Sequence, residues 1–331
     1  MKYFVTGATG FIGGKLAREL VKRGHTVVTI ARNPGKAGDL RELGIEVHKG
    51  DITEKETLRA PMTGVDGVFH VAAWYKVGAR DKTMAHDINV NGTRNVLEVM
   101  RELQIPKGVY TSTLAIYGNT HGKIADETIA PPAHFDSEYD RTKSLAHFDV
   151  AVPMMRAGLP LVIVQPGLVY GPGDTSLAGE TMGQYLQGKL PMLPTVAAYA
   201  WAHVDDIVEG HILAMEKGKV GESYIICGEI ARMEEAIALA ERITGVRAPG
   251  MRAGAGMVSL MAGVMGVVEK VVPMPEMFAS ETLRSMNATY IGSNAKAKRE
   301  LGYNPRSLEA GMRELLPYEM KRLGISSSPK A

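Results

Sequence analysis

The stretch Thr6-Gly7-Ala8-Thr9-Gly10-Phe11-Ile12-Gly13 lies between a short β-rich run, Tyr3–Thr6, and an amphipathic run, Lys15–Arg23. The first glycine of such a loop permits a tight turn with unusual dihedral angles. The second lets the backbone approach a pyrophosphate, and the third lets the helix pack closely on the sheet. Because the N-terminus of a helix favours phosphate, this strand–loop–helix context predicts dinucleotide binding rather than a plain glycine turn. The predicted contacts are Gly7, Thr9, Gly10, Phe11, Ile12 and Gly13.

The first half of the chain alternates β-rich runs with helical patterns. The candidate strands are Tyr3–Thr6, Thr26–Ala31, Glu46–Lys49, Gly67–Val71, Gly108–Ser112 and Leu161–Gln165. Helical patterns such as Lys15–Arg23 and Val90–Leu103 lie between them. This alternation is typical of βαβ units and a parallel sheet with helices on both faces. We therefore expect an α/β fold, a Rossmann-type doubly wound parallel sheet.

The second half is less regular. Val204–Lys217 and Arg232–Thr244 indicate helices, and Tyr224–Cys227 indicates one further strand. We expect a smaller, mostly helical C-terminal region that binds substrate. The predicted division assigns residues 1–168 and 202–228 to the dinucleotide-binding domain, and residues 169–201 and 229–331 to the substrate-binding region.

Composition restricts the class of partner. The 331 residues are 45% hydrophobic and 22% charged, as in ordinary globular proteins, and the net charge of +2 provides no basic field for nucleic acid. The longest apolar stretch, Gly254–Val268, is shorter than the ~20 residues of a membrane span. The single cysteine, Cys227, excludes an intrachain disulfide and favours a reducing compartment, the cytoplasm. No set of histidines and carboxylates has metal-ligand spacing, so we expect no metal site.

The end of the second strand bears on the choice of cofactor. An acidic residue there would bind the ribose 2′-hydroxyl of NAD, but Ala31 and Arg32 occupy this place. A guanidinium suits a 2′-phosphate, which favours NADP; NAD remains the alternative if Arg32 only stacks on the adenine. Asp51 and Ile52, after the third strand, are predicted to meet the adenine. Asp51 is equally suited to cap the following helix.

Further motifs follow in order along the chain, and together they are specific. They are His70-Val71-Ala72-Ala73, Asn89-Val90-Asn91-Gly92-Thr93, Thr111-Ser112-Thr113-Leu114-Ala115-Ile116-Tyr117-Gly118, Tyr139-Asp140-Arg141-Thr142-Lys143, Pro166-Gly167-Leu168-Val169-Tyr170-Gly171-Pro172-Gly173 and His203-Val204-Asp205-Asp206. With the glycine loop, they make the chain similar to the extended short-chain dehydrogenases/reductases, the NAD-dependent epimerase/dehydratase superfamily, and most of all to its dihydroflavonol-reductase-like members. The resemblance implies cofactor contacts from Ala72, Ala73, Ser112, Lys143, Pro166 and Val169.

The resemblance also implies a catalytic set of Thr113, Tyr139 and Lys143. Tyr139 and Lys143 are four residues apart in a helical stretch and so share one face. A nearby ammonium and an oxidised nicotinamide are expected to lower the phenol pKa toward the working range. In the family the lysine also holds the nicotinamide ribose, and the threonine hydrogen-bonds the substrate oxygen. Tyr185 and Lys189 have the same spacing, but the order of motifs selects the first pair.

Three functions stay open. Nucleotide-sugar enzymes of the family commonly have an arginine before the His203 motif, where this chain has Tyr199 and Trp201. That favours an NADP(H)-dependent reductase of a fairly apolar carbonyl compound, whereas the Leu114–Gly118 run is more typical of a sugar epimerase with a retained cofactor. A cofactor sensor without catalysis would have lost Tyr139 or Lys143, and both are present.

Two expectations concern surfaces. The resemblance implies a homodimer through Val90–Leu103 and the Tyr139 helix. Met257, Met261 and Met265 recur every fourth residue and predict one stripe of a helix. That stripe fits a core helix, an adaptable apolar wall over the substrate, or a surface helix that dips into lipid; Met251, Met274 and Met277 add to the same apolar segment.

Overall fold

A central seven-stranded sheet organises the molecule in the computed structural model, which describes residues 1–272 and 275–325. All its strands are parallel, in the order β10-β6-β5-β4-β1-β2-β3. Its strands are β1 (Lys2–Thr6), β2 (Thr26–Ala31), β3 (Glu46–Lys49), β4 (Gly67–His70), β5 (Gly108–Thr111), β6 (Leu161–Pro166) and β10 (Ser223–Ile226). This order confirms the predicted Rossmann-type sheet.

Six short strands lie outside the central sheet, and the helices cover its faces and fill the C-terminal region. The short strands are β7 (Leu168–Tyr170), β8 (Leu193–Pro194), β9 (Ala198–His203), β11 (Ile230–Arg232), β12 (Arg252–Ala253) and β13 (Thr289–Tyr290). The α-helices are α1 (Phe11–Lys22), α2 (Gly38–Glu42), α3 (Glu56–Met62), α4 (Thr83–His86), α5 (Thr93–Glu102), α6 (Glu138–Leu145), α7 (Val152–Arg156), α8 (Leu177–Leu186), α9 (Val204–Lys217), α10 (Met233–Thr244), α11 (Ala255–Val268), α12 (Ser280–Ser285), α13 (Ala295–Leu301) and α14 (Leu308–Arg322).

Side-chain bonds set some of the boundaries that periodicity does not define. The β2, β3 and α9 bounds agree with the prediction, but β4 ends at His70 because the Val71 N–H donates to the Thr6 hydroxyl. Helix α1 begins at Phe11, within the glycine-rich stretch and four residues before the predicted start. Two π-helical turns, Asp87–Gly92 and Ala146–Ala151, join α4 to α5 and α6 to α7.

The sheet reverses its winding at β1, and this reversal determines where a ligand fits. Strand β1 lies between β2 and β4. The chain adds β2 and β3 on one side of β1, and then β4, β5, β6 and β10 on the other side. Helices α1 and α9 pack on one face of the sheet, and α3 and α5 pack on the other. A crevice therefore opens at the carboxyl ends of β1 and β4, the usual ligand position in doubly wound sheets.

A second, smaller layer forms the other wall of this crevice. Strand β9 pairs with β7, β11 and β13, and a separate apolar core surrounds Trp201 where α8, α10 and α14 meet. The C-terminal third does not all belong to this layer. Helix α13 packs on α9 and β10, with Leu301 and Tyr303 in the core of the large sheet. The division into two domains therefore stays a proposal.

Helix α11 carries the methionine stripe on the protein surface. Only Val258 and Ala262 of this helix are buried, whereas Met257 is 48% exposed and Leu260 is 70% exposed. Met261 and Met265 are half-buried, and none of the three methionines lies on the wall of the cavity described below. The stripe is therefore neither a core face nor a substrate wall; Met274 lies outside the described residues. Among the helices described, none is long and apolar enough to cross a membrane.

Candidate active site

One cavity of about 700 Å³ occupies the crevice at the carboxyl ends of the strands. The structure places every residue of the predicted site on its wall. These residues are Gly7, Thr9, Gly10, Phe11, Ile12, Gly13, Arg32, Asp51, Ile52, Ala72, Ala73, Ser112, Thr113, Tyr139, Lys143, Pro166 and Val169. Residues more than 160 positions apart in the chain therefore meet at one place, and their individual roles stay predictions.

The glycine loop forms a floor that a side chain would fill. Gly7 has a φ of +75°, and a Cβ there would lie 2.9 Å from the Ala72 backbone nitrogen. A Cβ on Gly13 would lie 2.3 Å from the Gly7 carbonyl oxygen, so the start of α1 touches the loop. Gly10 is the N-cap residue of α1 and provides no side-chain cap. The first N–H groups of α1 are thus left for an anion, which fits a dinucleotide pyrophosphate.

A buried hydrogen-bond chain fixes the β1 and β4 ends beside this floor. The Thr6 hydroxyl accepts from the Val71 and Ala72 N–H groups, both at 3.0 Å, and bonds to His70 Nδ1 at 2.8 Å. His70 Nε2 lies 3.0 Å from the Thr93 hydroxyl. Burial, with a smaller effect of Lys143, lowers the His70 pKa to about 3, so this histidine is a neutral structural link. Sequence reasoning gave it no role.

The end of the cavity near β2 and β3 contains Arg32, the residue predicted to bear on the choice of cofactor. Arg32 follows β2, is exposed, lines the cavity and forms no ion pair with any residue that the structure describes. Asp51 Oδ1 accepts from the Thr53 N–H and from the Thr53 hydroxyl, both at 2.9 Å. Asp51 therefore caps a turn, and it also faces the cavity. Arg32 fits a phosphate on the adenosine ribose.

The opposite end holds the tyrosine–lysine pair on α6. The Ser137 hydroxyl caps this helix by accepting from the Asp140 N–H at 3.1 Å. Lys143 Nζ donates to the Thr111 carbonyl oxygen at 2.8 Å and to the Tyr110 hydroxyl at 3.2 Å. These bonds direct the lysine toward the carboxyl end of β5, one helical turn below Tyr139.

Burial dominates the protonation of both groups. It lowers the Lys143 pKa to about 7 and raises the Tyr139 pKa to about 12. A hydrogen bond with the Thr113 hydroxyl opposes the tyrosine shift, and the charge of Asp140 adds to it. Without a cofactor, the phenol is therefore fully protonated near neutral pH. A protonated phenol in this position meets the requirement for a general acid.

The hydroxyl groups beside the pair have different partners. Thr113 starts a 3₁₀ turn, and its hydroxyl accepts from the Ala115 N–H at 3.2 Å. That bond leaves the hydroxyl proton for Tyr139 or a substrate. The Ser112 hydroxyl is hydrogen-bonded to the buried His147 Nδ1 at 2.9 Å, and this bond holds it in place. Thr113 is therefore better placed than Ser112 to contact a substrate oxygen.

The second pair with the same spacing lies elsewhere. Tyr185 is buried in the smaller layer, and its hydroxyl donates to the Val246 carbonyl oxygen at 2.6 Å. Lys189 is exposed and bonds to the Gln187 side chain. This tyrosine therefore serves packing, and the choice of Tyr139 and Lys143 by the order of motifs stays a prediction.

A buried glutamate joins the site to the C-terminal region, and sequence reasoning missed it. Glu281 on α12 is 7% exposed. Its carboxylate accepts from the Glu138 N–H at 3.1 Å, the Gly78 N–H at 3.2 Å and Lys82 Nζ at 2.6 Å. It thus fastens α12 and the loop after β4 to the first turn of the catalytic helix. The only sequence signal, an acidic residue near a helix start, is too common to find it.

Two other polar groups have structural roles. Asn89 Oδ1 accepts from the Trp74 N–H at 2.8 Å, and its amide donates to the Trp74 carbonyl oxygen and the Thr142 hydroxyl. Asn89 thus bridges the loop after β4 to α6, whereas the Asn91 amide donates to Asp87. The Trp201 indole donates to the Ala231 carbonyl oxygen inside the smaller layer.

Among the residues that the structure describes, one carboxylate–histidine cluster is found, at His203, Asp205 and Glu314, outside the cavity. Each acid already has a cation: Lys15 bonds to Asp205 at 2.9 Å, and Arg306 bonds to Glu314 at 2.8 Å. His203 accepts from the Asp205 N–H and caps α9. These contacts indicate an ion-pair network that buttresses α9 rather than a metal centre.

The fold and this site define a nicotinamide-dependent oxidoreductase of the Rossmann type. The model of the NAD dependent epimerase/dehydratase family matches residues 3–227, and the chain belongs to that family. It is similar to sterol demethylase protein B of Methylococcus capsulatus, with 28% identity over 97% of this chain and 99% of that protein. It is also similar to a 2-alkyl-3-oxoalkanoate reductase of Stenotrophomonas maltophilia, with 30% identity over 95% and 98%.

Solved structures agree with the fold. The crystal structure of gox2253 superimposes with a TM-score of 0.84 at 30% identity, covering 98% of this chain and 99% of that one. A UDP-glucuronic acid 4-epimerase of Bacillus cereus, in complex with UDP-glucuronic acid and NAD, gives a TM-score of 0.75 at 25% identity, covering 98% and 100%. The fold is therefore shared with gox2253 and with a sugar-nucleotide epimerase.

Proposed function

We propose that this enzyme reduces a carbonyl group of a neutral, largely apolar small molecule with NADPH, or oxidises the matching alcohol. The observation that carries this choice is the charge of the cavity. Among the described residues on its wall, the basic side chains are Arg32 at the adenosine end and Lys143 in the catalytic pair. A sugar nucleotide would need a cation for its diphosphate in the other half.

The wall of that other half is apolar and acidic. Apolar side chains from α8, the following loop, α10, α12 and the residues that flank α12 form most of it: Leu177, Leu190, Met192, Met233, Met277, Phe278, Leu283 and Met286. Two carboxyl groups, Asp140 and Asp174, also lie on the wall, and burial raises the pKa of both. Anionic substrates are disfavoured in such surroundings, and uncharged apolar ones are favoured.

The residues of the chain have distinct tasks in this reaction. The bound nicotinamide supplies or accepts the hydride. Tyr139 donates its phenolic proton to the carbonyl oxygen as charge develops there, and Thr113 hydrogen-bonds the same oxygen. Lys143, held by the Thr111 carbonyl oxygen, would bind the nicotinamide ribose of a bound cofactor and, when protonated, would carry a positive charge one helical turn from Tyr139. In the oxidation direction the same groups act in reverse.

NADP is the proposed cofactor because Arg32 is free of acidic partners and stands where NAD enzymes place a carboxylate. The single buried Cys227 is consistent with a reducing compartment, and we propose the cytoplasm. A homodimer through residues 90–103 and the Tyr139 helix is part of the proposal, and light scattering at micromolar concentration tests it.

The alternative is sugar epimerisation with a retained cofactor. The similarity in fold to the Bacillus cereus epimerase supports it. Purified protein is mixed with NADPH or NADH and a panel of ketones, aldehydes and nucleotide sugars, and nicotinamide absorbance is followed. Net loss of NADPH with an uncharged ketone is the expected result. Conversion of a nucleotide sugar to its epimer without net absorbance change would overturn the proposal.

A further inference from the structure

Three polar side chains form a cluster on the substrate half of the cavity wall. Asp140 follows Tyr139 on α6 and is 3% exposed, and its Oδ2 accepts from the Tyr290 hydroxyl at 2.8 Å. The Tyr290 ring stacks on that of Tyr199, with centroids 6.2 Å apart and planes 4° from parallel. All three residues line the cavity, although they come from α6, β9 and β13.

Neighbouring strands hold this cluster rigid. Tyr290 of β13 is the register partner of Tyr199 of β9, so both rings project from the same side of the small sheet. The Tyr199 hydroxyl has no hydrogen-bond partner among the described residues, and it is not sealed from the cavity. A polar group that lines an apolar cavity without a protein partner is available to a ligand.

The charge around the cluster restricts what it binds. Burial, together with the nearby acids Asp136 and Glu281, raises the Asp140 pKa to about 7, while bonds from Tyr290 and Ser137 oppose that shift. Burial followed by the charge of Asp140 raises the Tyr199 pKa to about 12. Asp140 is therefore partly ionised near neutral pH, and its ionised oxygens accept a hydrogen bond from a hydroxyl group and repel a carboxylate.

We propose that Asp140, Tyr199 and Tyr290 bind a hydroxyl group of the substrate, away from the carbonyl that Tyr139 protonates. The inference rests on the proposed reductase function and deepens it: the substrate is an uncharged, largely apolar carbonyl compound with a second oxygen as a hydroxyl. The hydroxyl donates to the Asp140 carboxyl oxygen, and the Tyr199 hydroxyl donates to it. This contact fixes which face of the carbonyl meets the nicotinamide.

The test uses a series of probes that differ in one group. The series consists of a straight-chain methyl ketone, its isomers with a hydroxyl group at successive carbons, and the keto acid of equal length. Reduction by NADPH gives kcat/KM for each probe. We expect one hydroxy isomer to exceed the parent ketone by about tenfold, equivalent to ~1.4 kcal/mol, and the keto acid to fall below it.

Variants assign the preference to the cluster. Asp140→Leu is expected to bring the ratio of hydroxy isomer to parent ketone close to one, and Tyr199→Phe and Tyr290→Phe to lower it. Asp174→Asn, a change to the other carboxyl on the wall, is the matched control and should keep the ratio. A contact that only ties α6 to β13 would lower kcat/KM for all probes equally, which would overturn the inference.

Calorimetry separates this inference from the proposed function. Saturated diols and the parent alcohol are titrated into the protein with NADP present, and melting curves verify that each variant folds. Tighter binding of one diol, lost in Asp140→Leu, supports the cluster even if no ketone is reduced, a result that would overturn the reductase proposal alone. Equal binding of diols and alcohol, or a preference that survives Asp140→Leu, would overturn the inference.

Discussion

Lys143 is bonded to the Thr111 carbonyl oxygen at 2.8 Å, next to the Tyr110 ring, and burial lowers its pKa to about 7. Burial acts on the phenol of Tyr139 in the opposite sense and raises its pKa to about 12. The same loss of water thus makes an ammonium more acidic and a phenol less acidic, because both neutral forms are favoured. Any effect of a positively charged nicotinamide on the Tyr139 pKa would therefore start from a value that burial has already raised.

The first residue prediction concerns Tyr139→Phe. Loss of the phenolic proton donor is expected to lower kcat by roughly 10²–10⁴-fold, the usual contribution of a general acid. The dissociation constant for NADPH should change little because the glycine loop and Arg32 are untouched. Steady-state kinetics and fluorescence titration measure the two effects.

Tyr185→Phe is the matched control, since it removes the hydroxyl of the other tyrosine with this spacing. It is expected to lower stability by about 1 kcal/mol and to keep turnover. Unchanged turnover in Tyr139→Phe, or an equal loss in the control, would contradict the catalytic assignment.

The second residue prediction concerns Arg32→Asp. An aspartate after β2 would bind the ribose hydroxyls of NAD and repel a 2′-phosphate, so the preference should move from NADP toward NAD. A combined change of about a hundredfold in the ratio of dissociation constants is expected, from ~1–2 kcal/mol on each cofactor. Calorimetric titration of both cofactors measures it.

Arg41→Asp on α2 makes the same change of charge on an exposed residue that does not line the cavity. It should leave the ratio within about twofold, because exposed charges are screened by salt. A similar shift in both variants would mean that net charge, not a specific contact, selects the cofactor.

At the scale of elements, α12 and the loop after β4 are fastened to α6 by one carboxylate. A Cβ on Gly78 would lie 2.4 Å from the Thr282 hydroxyl, so the loop touches α12 directly where Glu281 accepts the Gly78 N–H. The N–H groups in the first turn of α6 have no acceptor within the helix. The Glu281 carboxylate accepts the hydrogen bond from one of them, the Glu138 N–H. The position of the loop after β4 and the position of Tyr139 on α6 are therefore coupled through Glu281.

Glu281→Ala tests that coupling. Two buried N–H groups would lose their acceptor, which should cost about 2–4 kcal/mol of unfolding free energy. We expect a lower kcat and a higher KM together, because α6 and the cavity mouth both loosen. Glu281→Gln keeps an acceptor oxygen and should recover most of kcat.

Glu276→Ala, at an exposed position four residues before α12, is the control and should change neither constant by more than about twofold. Denaturant unfolding and single-turnover hydride transfer are the measurements. A Glu281→Ala enzyme with lower stability but a normal single-turnover rate would show that the glutamate has no part in positioning Tyr139.

The sheet was predictable from sequence because each strand has its own local pattern. Thr26–Ala31 and Glu46–Lys49 have the predicted bounds, and the glycine loop marks the phosphate floor. Motif order also placed Thr113, Tyr139 and Lys143 together, because the carboxyl ends of parallel strands meet at one edge.

The substrate half was not predictable in the same way. Glu281 and Tyr290 reach the site from more than 135 positions beyond Tyr139, on a helix of six residues and a strand of two. Elements this short have no periodicity to read, and their contacts depend on tertiary packing alone. The methionine stripe left three positions open for the related reason that a period identifies a face of a helix, not what covers it.

At the scale of the whole molecule, the buried lysine makes stability depend on pH. An unfolded lysine titrates near pH 10.5, whereas Lys143 in the fold titrates near pH 7, so the unfolded state binds more protons between these values. Unfolding therefore becomes harder as pH rises through this window. Half-buried Lys107 contributes in the same direction, since burial lowers its pKa as well.

Other groups limit the useful range. Asp140, with its pKa raised to about 7, opposes the trend below neutral pH, and Cys227, with a pKa raised to about 12, opposes it above about pH 9.

Between about pH 7.5 and pH 9 we expect the unfolding free energy of the cofactor-free protein to rise by roughly 1–2 kcal/mol. Lys143→Met should remove most of this rise, because it replaces the titrating group with an uncharged side chain of similar length. Lys107→Met is the matched control and should remove less. Urea unfolding across this range measures the slope, and equal slopes in wild type and Lys143→Met would contradict the buried, low-pKa state of the catalytic lysine.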